Sequence, residues 1–317
     1  MGPENRISRA KTLQWVSCNY LKTCVSQDYP PENLAKGITL GILTVFIGSS
    51  VAAVGKHLTN SVDISTIVLA QYLICFICTM PWLVRRGLKD AFSTAHPWKH
   101  LIRGITGCAC FYAYYIALKH IPLVDASLLR NTAPLIVPIV IFVWFSVAIP
   151  KARWLPLIIG FTGVIFALKP GQDGISVWHF VGFLSGAGLA ISMVATRQLA
   201  RTEPESRILF YYFLISLLFA IPFFIYEQVF TNTSTIPASA WPWLLYIGLG
   251  MYITFLLYTR AYKYVKASVL SPTSYFAVVF AGVFDWLIWK HIPDYWTLVG
   301  IVLIICGSLL ILKPDKT

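Results

Sequence analysis

Ten stretches of mostly apolar residues, separated by short polar connections, follow one another along this 317-residue chain. They cover about 37–55, 64–84, 101–118, 122–147, 154–168, 178–196, 207–226, 241–259, 267–289 and 295–312. A helix rises about 1.5 Å per residue, so roughly 20 such residues match a hydrocarbon layer about 30 Å thick. Inside lipid the backbone finds no water, and a helix satisfies its own N–H and C=O groups. The pattern therefore predicts an all-α integral membrane protein with ten transmembrane helices. The fifth and tenth stretches are short and the fourth and ninth long, which predicts tilt. No connection exceeds about 16 residues, leaving no room for a separate soluble domain.

Composition agrees. Hydrophobic residues make up 57% of the chain and charged ones 12%, against about 25% charged in a soluble domain, and mean hydropathy is +0.70. The 25 basic and 13 acidic residues cannot clothe a soluble core of this size, which excludes a soluble enzyme. A disordered or fibrous chain is excluded by the same figures. The net charge of +12 raises nucleic acid as a partner, but the basic residues stand singly or in pairs between apolar runs. The expected partner is the bilayer, not nucleic acid. Cys75, Cys78, Cys108, Cys110 and Cys306 lie inside apolar runs, and Cys18 and Cys24 in the leading tail. The Cys75–Cys78 pair lacks the second ligand pair that zinc needs, so no metal is expected. The first 35 residues are polar, close on Pro30-Pro31 and lack the apolar stretch of a signal peptide.

Lysine and arginine set the orientation of such a bundle, because cytoplasmic connections carry the excess of both. With the N-terminus inside, the inner face receives twenty of them, including Arg85, Arg86, Arg103, Arg197 and Arg260. The outer face receives four, Lys56, Lys119, Lys169 and Lys290, and Arg130 is left inside a helix. Ten crossings place both termini in the cytoplasm.

The chain also resembles itself. Displaced by 144 residues, Leu101–Pro170 falls on Leu245–Pro314 without a gap. Gly104 meets Gly248, Phe111 meets Phe255, Tyr114 meets Tyr258, Ser127 meets Ser271 and Gly163 meets Gly307. A displacement of 141 pairs Gly41 with Gly182 and Lys56 with Arg197. Each half holds five helices, an odd number, so the second enters from the opposite face as an inverted repeat. The expected layout is a cytoplasmic tail 1–36, five-helix repeats 37–170 and 171–314 around a central cavity, and a cytoplasmic end 315–317. Two similar halves of opposed sense can exchange conformations, which gives outward-open and inward-open states of similar energy.

The stretch Ala117-Leu-Lys-His-Ile-Pro-Leu-Val-Asp-Ala-Ser-Leu-Leu-Arg-Asn-Thr-Ala-Pro134 resembles the fourth-helix entry of EamA-type members of the drug/metabolite transporter superfamily. Its second-half counterpart is Ala261-Tyr-Lys-Tyr-Val-Lys-Ala-Ser-Val-Leu-Ser-Pro272. Pro293-Asp-Tyr-Trp-Thr-Leu-Val-Gly300, followed by Ile-Val-Leu-Ile-Ile-Cys-Gly307, is similar to the family's tenth-helix pattern. The resemblance covers about residues 37–314. It implies ten helices around a central cavity, export or uptake of small polar metabolites, and a bacterial cytoplasmic (inner) membrane. The family often closes its fourth and ninth helices with Gly-Glu, where this chain has Ser146-Val147 and Lys290-His291. No role of those glutamates carries over.

Arg130 is the most informative side chain, about eight residues and roughly 12 Å below the outer end of its helix. A lipid-facing arginine there costs at least about 2.5–3.5 kcal/mol, so it faces the bundle or a wet cavity. Two roles are open: an anchor for a carboxylate or phosphate, which guanidinium grips with two bonds, or a structural ion pair. Asp285 is the expected partner for the pair, within roughly 5 Å of the same depth. It is also the coupling candidate, able to release Arg130 to substrate or proton in another state. Asp125 is turned about 140° away along the helix and suits the positive end of the dipole after Pro122.

Pro134, Pro138 and Pro272 each remove a helix bond and free a carbonyl, a device tolerated in membranes where protein or cavity water covers the backbone. Asn131, Ser271, Thr273, Ser274 and Tyr275 cluster near these breaks, with Tyr114, Tyr115, Tyr258, Gln71 and Tyr72 as further cavity walls. Such walls suit an amphipathic metabolite. Packing and interhelical bonding are the alternative role for each. Trp82, Trp98, Trp154, Trp286, Trp289 and Trp296 fit interfacial belts. Gly182 and Gly186 have the spacing of a helix-dimer motif, which permits a homodimer. Asn232-Thr-Ser234 is a glycosylation sequon only in a host that glycosylates. No zinc-protease, phosphate-loop, nucleophile-elbow or carboxylate-cluster motif appears, and the six histidines sit near span ends, where water solvates them. The expectation is a secondary transporter, not an enzyme, without cofactor, for a small solute with an anionic group such as an amino acid or organic acid. The rivals are an uptake system or flippase for a zwitterionic or lipid-linked head group, and an intramembrane enzyme or non-transporting scaffold.

Overall fold

The computed structural model describes residues 34–87, 92–146, 149, 154–167, 176–200, 202–230, 236–261, 264 and 271–312. Every regular element among them is helical. In chain order the α-helices are α1 (Leu34–Leu58), α2 (Ile64–Arg86), α3 (Pro97–His120), α4 (Leu123–Arg130), α5 (Ala133–Phe145) and α6 (Trp154–Ala167). They continue as α7 (Val177–Leu199), α8 (Glu205–Phe230), α9 (Trp241–Ala261), α10 (Phe276–Trp289) and α11 (Tyr295–Leu312). Short 3₁₀ turns at Ala238–Ala240 and Ser271–Tyr275 precede α9 and α10.

Each expected stretch meets a helix or a pair of helices. Seven helical segments are long and apolar enough to cross a membrane, α4 and α5 counting as one, and three shorter apolar helices lie at Trp154–Phe166, Thr273–Trp289 and Tyr295–Gly307. The two long stretches are not continuous helices. The fourth breaks between Arg130 and Ala133, ahead of Pro134. The ninth begins as the 3₁₀ turn containing Pro272 before α10. Proline lacks the N–H that would continue the α-helical ladder, and both interruptions follow from that.

Helix contacts come in matched pairs. α3 packs on α7 as α9 packs on α1, and α3 on α8 as α9 on α2. The partners α2 and α8, α4 and α10, and α6 and α11 pack on one another. Side chains repeat the pattern. A Cβ on Gly104 would lie 2.5 Å from Ile215, and one on Gly248 2.5 Å from Ile74. α6 and α11 cross backbone to backbone, with Gly163 against Ile304 and Gly300, and Gly307 against Gly160 and Pro156. Pro81 inside α2 and Pro222 inside α8 stand 141 residues apart. Ser146 and Lys290, 144 apart, are the non-glycine residues with positive φ among those described, at 54° and 57°. Each closes its helix in the left-handed conformation that glycine adopts without cost. These are the two positions at which the resemblance expects glycine.

Two local readings are corrected. Gly182 and Gly186 do not face outward. Gly182 meets Leu129 and Ala117, and a Cβ on Gly186 would lie 2.6 Å from the Leu129 carbonyl, so the motif is spent inside the chain. His100 and His179 are buried at 1% and 9% exposure rather than solvated. Cys18, Cys24, Val147, Lys169, Arg201, Lys263, Asn232-Thr-Ser234 and the termini through residue 33 and from 313 lie outside the described residues, as do the side chains of Ser271 and Pro272.

Candidate functional site

One face of α3 organises the interior. Arg103, Gly107, Cys110, Phe111 and Tyr114 recur three or four residues apart, which aligns them along a helix. α4 brings Arg130 to this face at its last turn. The guanidinium carbon stands 4.3 Å from the centre of the Phe111 ring and 4.7 Å from that of Tyr114. Arg130 Nη1 makes long contacts to the Cys110 carbonyl at 3.4 Å and its sulfur at 3.7 Å. No acidic side chain pairs with Arg130 among the described residues.

Side chains brace the helix break beside it. Asn131 Nδ2 donates to Ser127 O at 2.8 Å and Thr132 Oγ1 to Leu129 O at 2.6 Å, each adding a second bond to a carbonyl that also accepts a backbone N–H. Gly186 of α7 lets that helix approach the same backbone. The Asn131 amide is thereby engaged in structure.

Around Arg130 the hydroxyls pair among themselves. Tyr114 and Ser127 share a bond of 2.9 Å, and Tyr115 donates to Gln71 Oε1 at 2.8 Å. Tyr72 donates to Gly107 O at 3.3 Å and shares a bond of 3.1 Å with Tyr212. Gln71 Nε2 is buried without a partner. The structure thus brings together Arg130, Tyr114, Tyr115 and Gln71 of the expected set. Tyr258 is 38% exposed on α9, and the turn holding Ser271, Ser274 and Tyr275 packs on α1 and α10. None of the contacts of Arg130 includes these four residues. Phe111, Tyr212 and Arg103 are additions. The spacing along α3 could have flagged Phe111 and Arg103, whereas Tyr212 arrives from α8 with no local signal.

Asp285 is not the partner of Arg130. It is fully buried, receives Lys56 Nζ at 3.3 Å, and accepts the Val124 N–H at 2.9 Å with its other oxygen. Lys56 also donates to Ile121 O at 3.1 Å and lies 4.8 Å over the Trp289 ring. The carboxylate therefore caps the first turn of α4 from α10, where an acid suits free N–H groups and the helix dipole. Asp125, also buried, accepts from Thr297 at 2.9 Å. At the opposite end of α3, His100 Nε2 donates to Glu203 Oε2 at 2.7 Å, and Thr94 donates to the other oxygen. Burial pushes the Glu203 carboxyl up, but these bonds and the Arg207 charge outweigh it and hold it below the usual carboxylate range.

The many long apolar helices are those of a multi-pass membrane protein. Residues 35–169 and 176–313 each match the EamA-like transporter family, and the chain belongs to that family. The pseudopaline exporter CntI of Pseudomonas aeruginosa is 29% identical over 286 residues, covering 89% of this chain and 98% of the relative. The S-adenosylmethionine uptake transporter of Rickettsia bellii is 25% identical, over 88% of this chain and 94% of its own. The riboflavin transporter of Brucella anthropi is 26% identical, over 80% and 90%. A crystal structure of a protein matches with a TM-score of 0.58 at 18% identity over 87% of this chain and 96% of that one, which shows the fold. The chain is a small-molecule transporter and not an enzyme.

Proposed function

We propose that this transporter works by alternating access, with ten helices in two inverted five-helix repeats, 37–170 and 171–314, around a solute site centred on Arg130. Its solute is a small polar or amphipathic metabolite with an anionic group, such as an amino acid or organic acid. The observation that carries this reading is a charge with no acidic partner among the described residues. Arg130 lies on two aromatic faces beside a helix break, while the carboxylate expected to neutralise it is committed to Lys56. A guanidinium held at such depth without a counter-ion favours an anion that arrives and leaves.

The repeat is supported by contacts and helix caps recurring at offsets of 141 and 144 residues, and by the family match falling twice on the chain. With the N-terminus cytoplasmic, in a bacterial cytoplasmic membrane, the Lys56 end faces outward and the His100 end inward. Lys56 and Asp285 then fasten α1, α4 and α10 at one end, and His100, Glu203 and Thr94 fasten the other. Releasing one fastening while the other holds opens the site to one side only, and solute or proton gradients supply the energy. The relatives' names include both export and uptake, so direction is a property of the gradient here rather than of the family. A zwitterionic head group read through an aromatic cage is the weaker reading, because Arg130 already occupies the faces of Phe111 and Tyr114.

Counterflow in liposomes tests the anchor. Losing a charge-assisted bond lowers affinity for an anionic solute by about 10- to 100-fold in Arg130→Ala, with partial recovery in Arg130→Lys. Unchanged anion affinity in both variants removes Arg130 from the site.

A further inference from the structure

Arg103 looks like a loop charge in the sequence, yet the fold buries it within α3 at 6% exposure. It lies seven residues, about 10 Å of helix, from Cys110, which Arg130 touches. Arg103 Nη1 donates to Ile208 O at 2.8 Å, and its guanidinium carbon stands 4.6 Å from the centre of the Tyr212 ring. Its Nε is buried without a partner, and no acidic side chain pairs with it among the described residues. Rings connect the two arginines: Tyr212 meets Tyr72 at 5.8 Å, Tyr72 meets Phe111 at 6.1 Å, and Arg130 lies over Phe111.

The buried side-chain atoms of this column that find no hydrogen-bond partner are donors. The tyrosine hydroxyls of Tyr72, Tyr114, Tyr115 and Tyr212 are paired within the protein. The unpartnered atoms are Arg103 Nε and Gln71 Nε2, and Arg130 makes only long contacts, to the Cys110 carbonyl and sulfur. Two positive charges without acidic partners among the described residues stand at its ends, with aromatic surface between. A ligand that completes it brings acceptors and negative charge at both ends and an apolar middle.

We propose that Arg103 is a second anion-binding residue, and that the solutes of this transporter are small molecules with two anionic groups, one held by Arg130 and one by Arg103. This rests on the reading of Arg130 as an anchor and adds the substrate class to it. The spacing of the charges then selects among dianions by length.

The test titrates purified protein with linear α,ω-dicarboxylates from succinate to suberate and with monocarboxylates of equal chain length, reading affinity by thermal shift. In the wild type one dicarboxylate binds at least about 10-fold more tightly than its monocarboxylate, the worth of one charge-assisted bond. Arg103→Gln erases that preference and leaves monocarboxylate affinity within about twofold, whereas Arg130→Gln weakens both ligands. Arg103→Lys keeps the charge near Ile208 O for a chain that needs it to fold, and shows a reduced preference because the planar fork is gone. A wild type without dicarboxylate preference, or a preference surviving intact in both Arg103 variants, overturns the second site while the Arg130 effect still stands. Arg130→Gln binding both ligands as the wild type does overturns the anchor, and the dianion proposal with it.

Discussion

Lys56 and Arg130 are both cations inside an apolar bundle, and their surroundings differ in kind. Lys56 meets a carboxylate, a carbonyl and a ring, and its partner Asp285 spends its second oxygen on the N-terminus of α4. Every strong acceptor there is provided by the protein. Arg130 meets two ring faces and one long contact to a carbonyl, and its own helix ends on that residue. Depth alone does not separate a structural charge from a functional one. The neighbouring acceptors do.

The largest effect expected from this contrast is on stability. Asp285→Ala strands Lys56 without a counter-ion and costs about 3–5 kcal/mol in thermal or denaturant unfolding. The double change Lys56→Met with Asp285→Leu recovers most of that loss, because an apolar pair replaces a desolvated ionic one. Arg130→Met, by contrast, shifts stability by only about 1 kcal/mol, the worth of its ring contacts, while weakening anion binding by about 10- to 100-fold. If Arg130→Met unfolded the protein and Asp285→Ala did not, the two roles would have to be exchanged.

A smaller effect sharpens the comparison at the Lys56 end. Lys290 is exposed, and its backbone is left-handed at φ 57°. Lys290→Gly, and Ser146→Gly at the matching place in the first half, each raise stability by about 0.5–1 kcal/mol by removing the Cβ penalty. Unfolding midpoints check it, and a loss in Lys290→Gly would assign that lysine a role in the charge cluster.

The smallest effect belongs to the opposite end. The folded Glu203 carboxyl lies below its ordinary value, so the stability it adds is present above the unfolded pKa near about 4.3 and lost as pH falls through the folded one. Glu203→Gln flattens this acid limb, read as unfolding midpoint against pH. An unchanged limb would locate acid sensitivity elsewhere.

Helix positions were legible because apolar length is a local property. Pro134 and Pro272 likewise marked the interruptions, since a missing N–H acts on its own helix. Arg130 stood out by the cost of burying a charge. Its partner did not, because similar depth does not say which helix faces which. Asp285 and Arg130 lie at similar calculated depths, yet α10 turns Asp285 toward Lys56 and the start of α4. Arg103 was hidden by its place near a span end, where a loop arginine is the common case. Its burial against Tyr212 depends on α8 packing on α3, which no window along the chain contains. Gly182 and Gly186 show the same limit: their spacing signalled close packing but not against which helix.

Accessibility at the helix break tests the central claim most directly. Asn131→Cys, in a chain whose seven native cysteines are replaced, is exposed to a membrane-impermeant thiol reagent in vesicles of each orientation. Alternating access to Arg130 predicts labelling from both faces, slowed from both by a bound dicarboxylate. Labelling from one face alone, or at a rate that no anion alters, would contradict it.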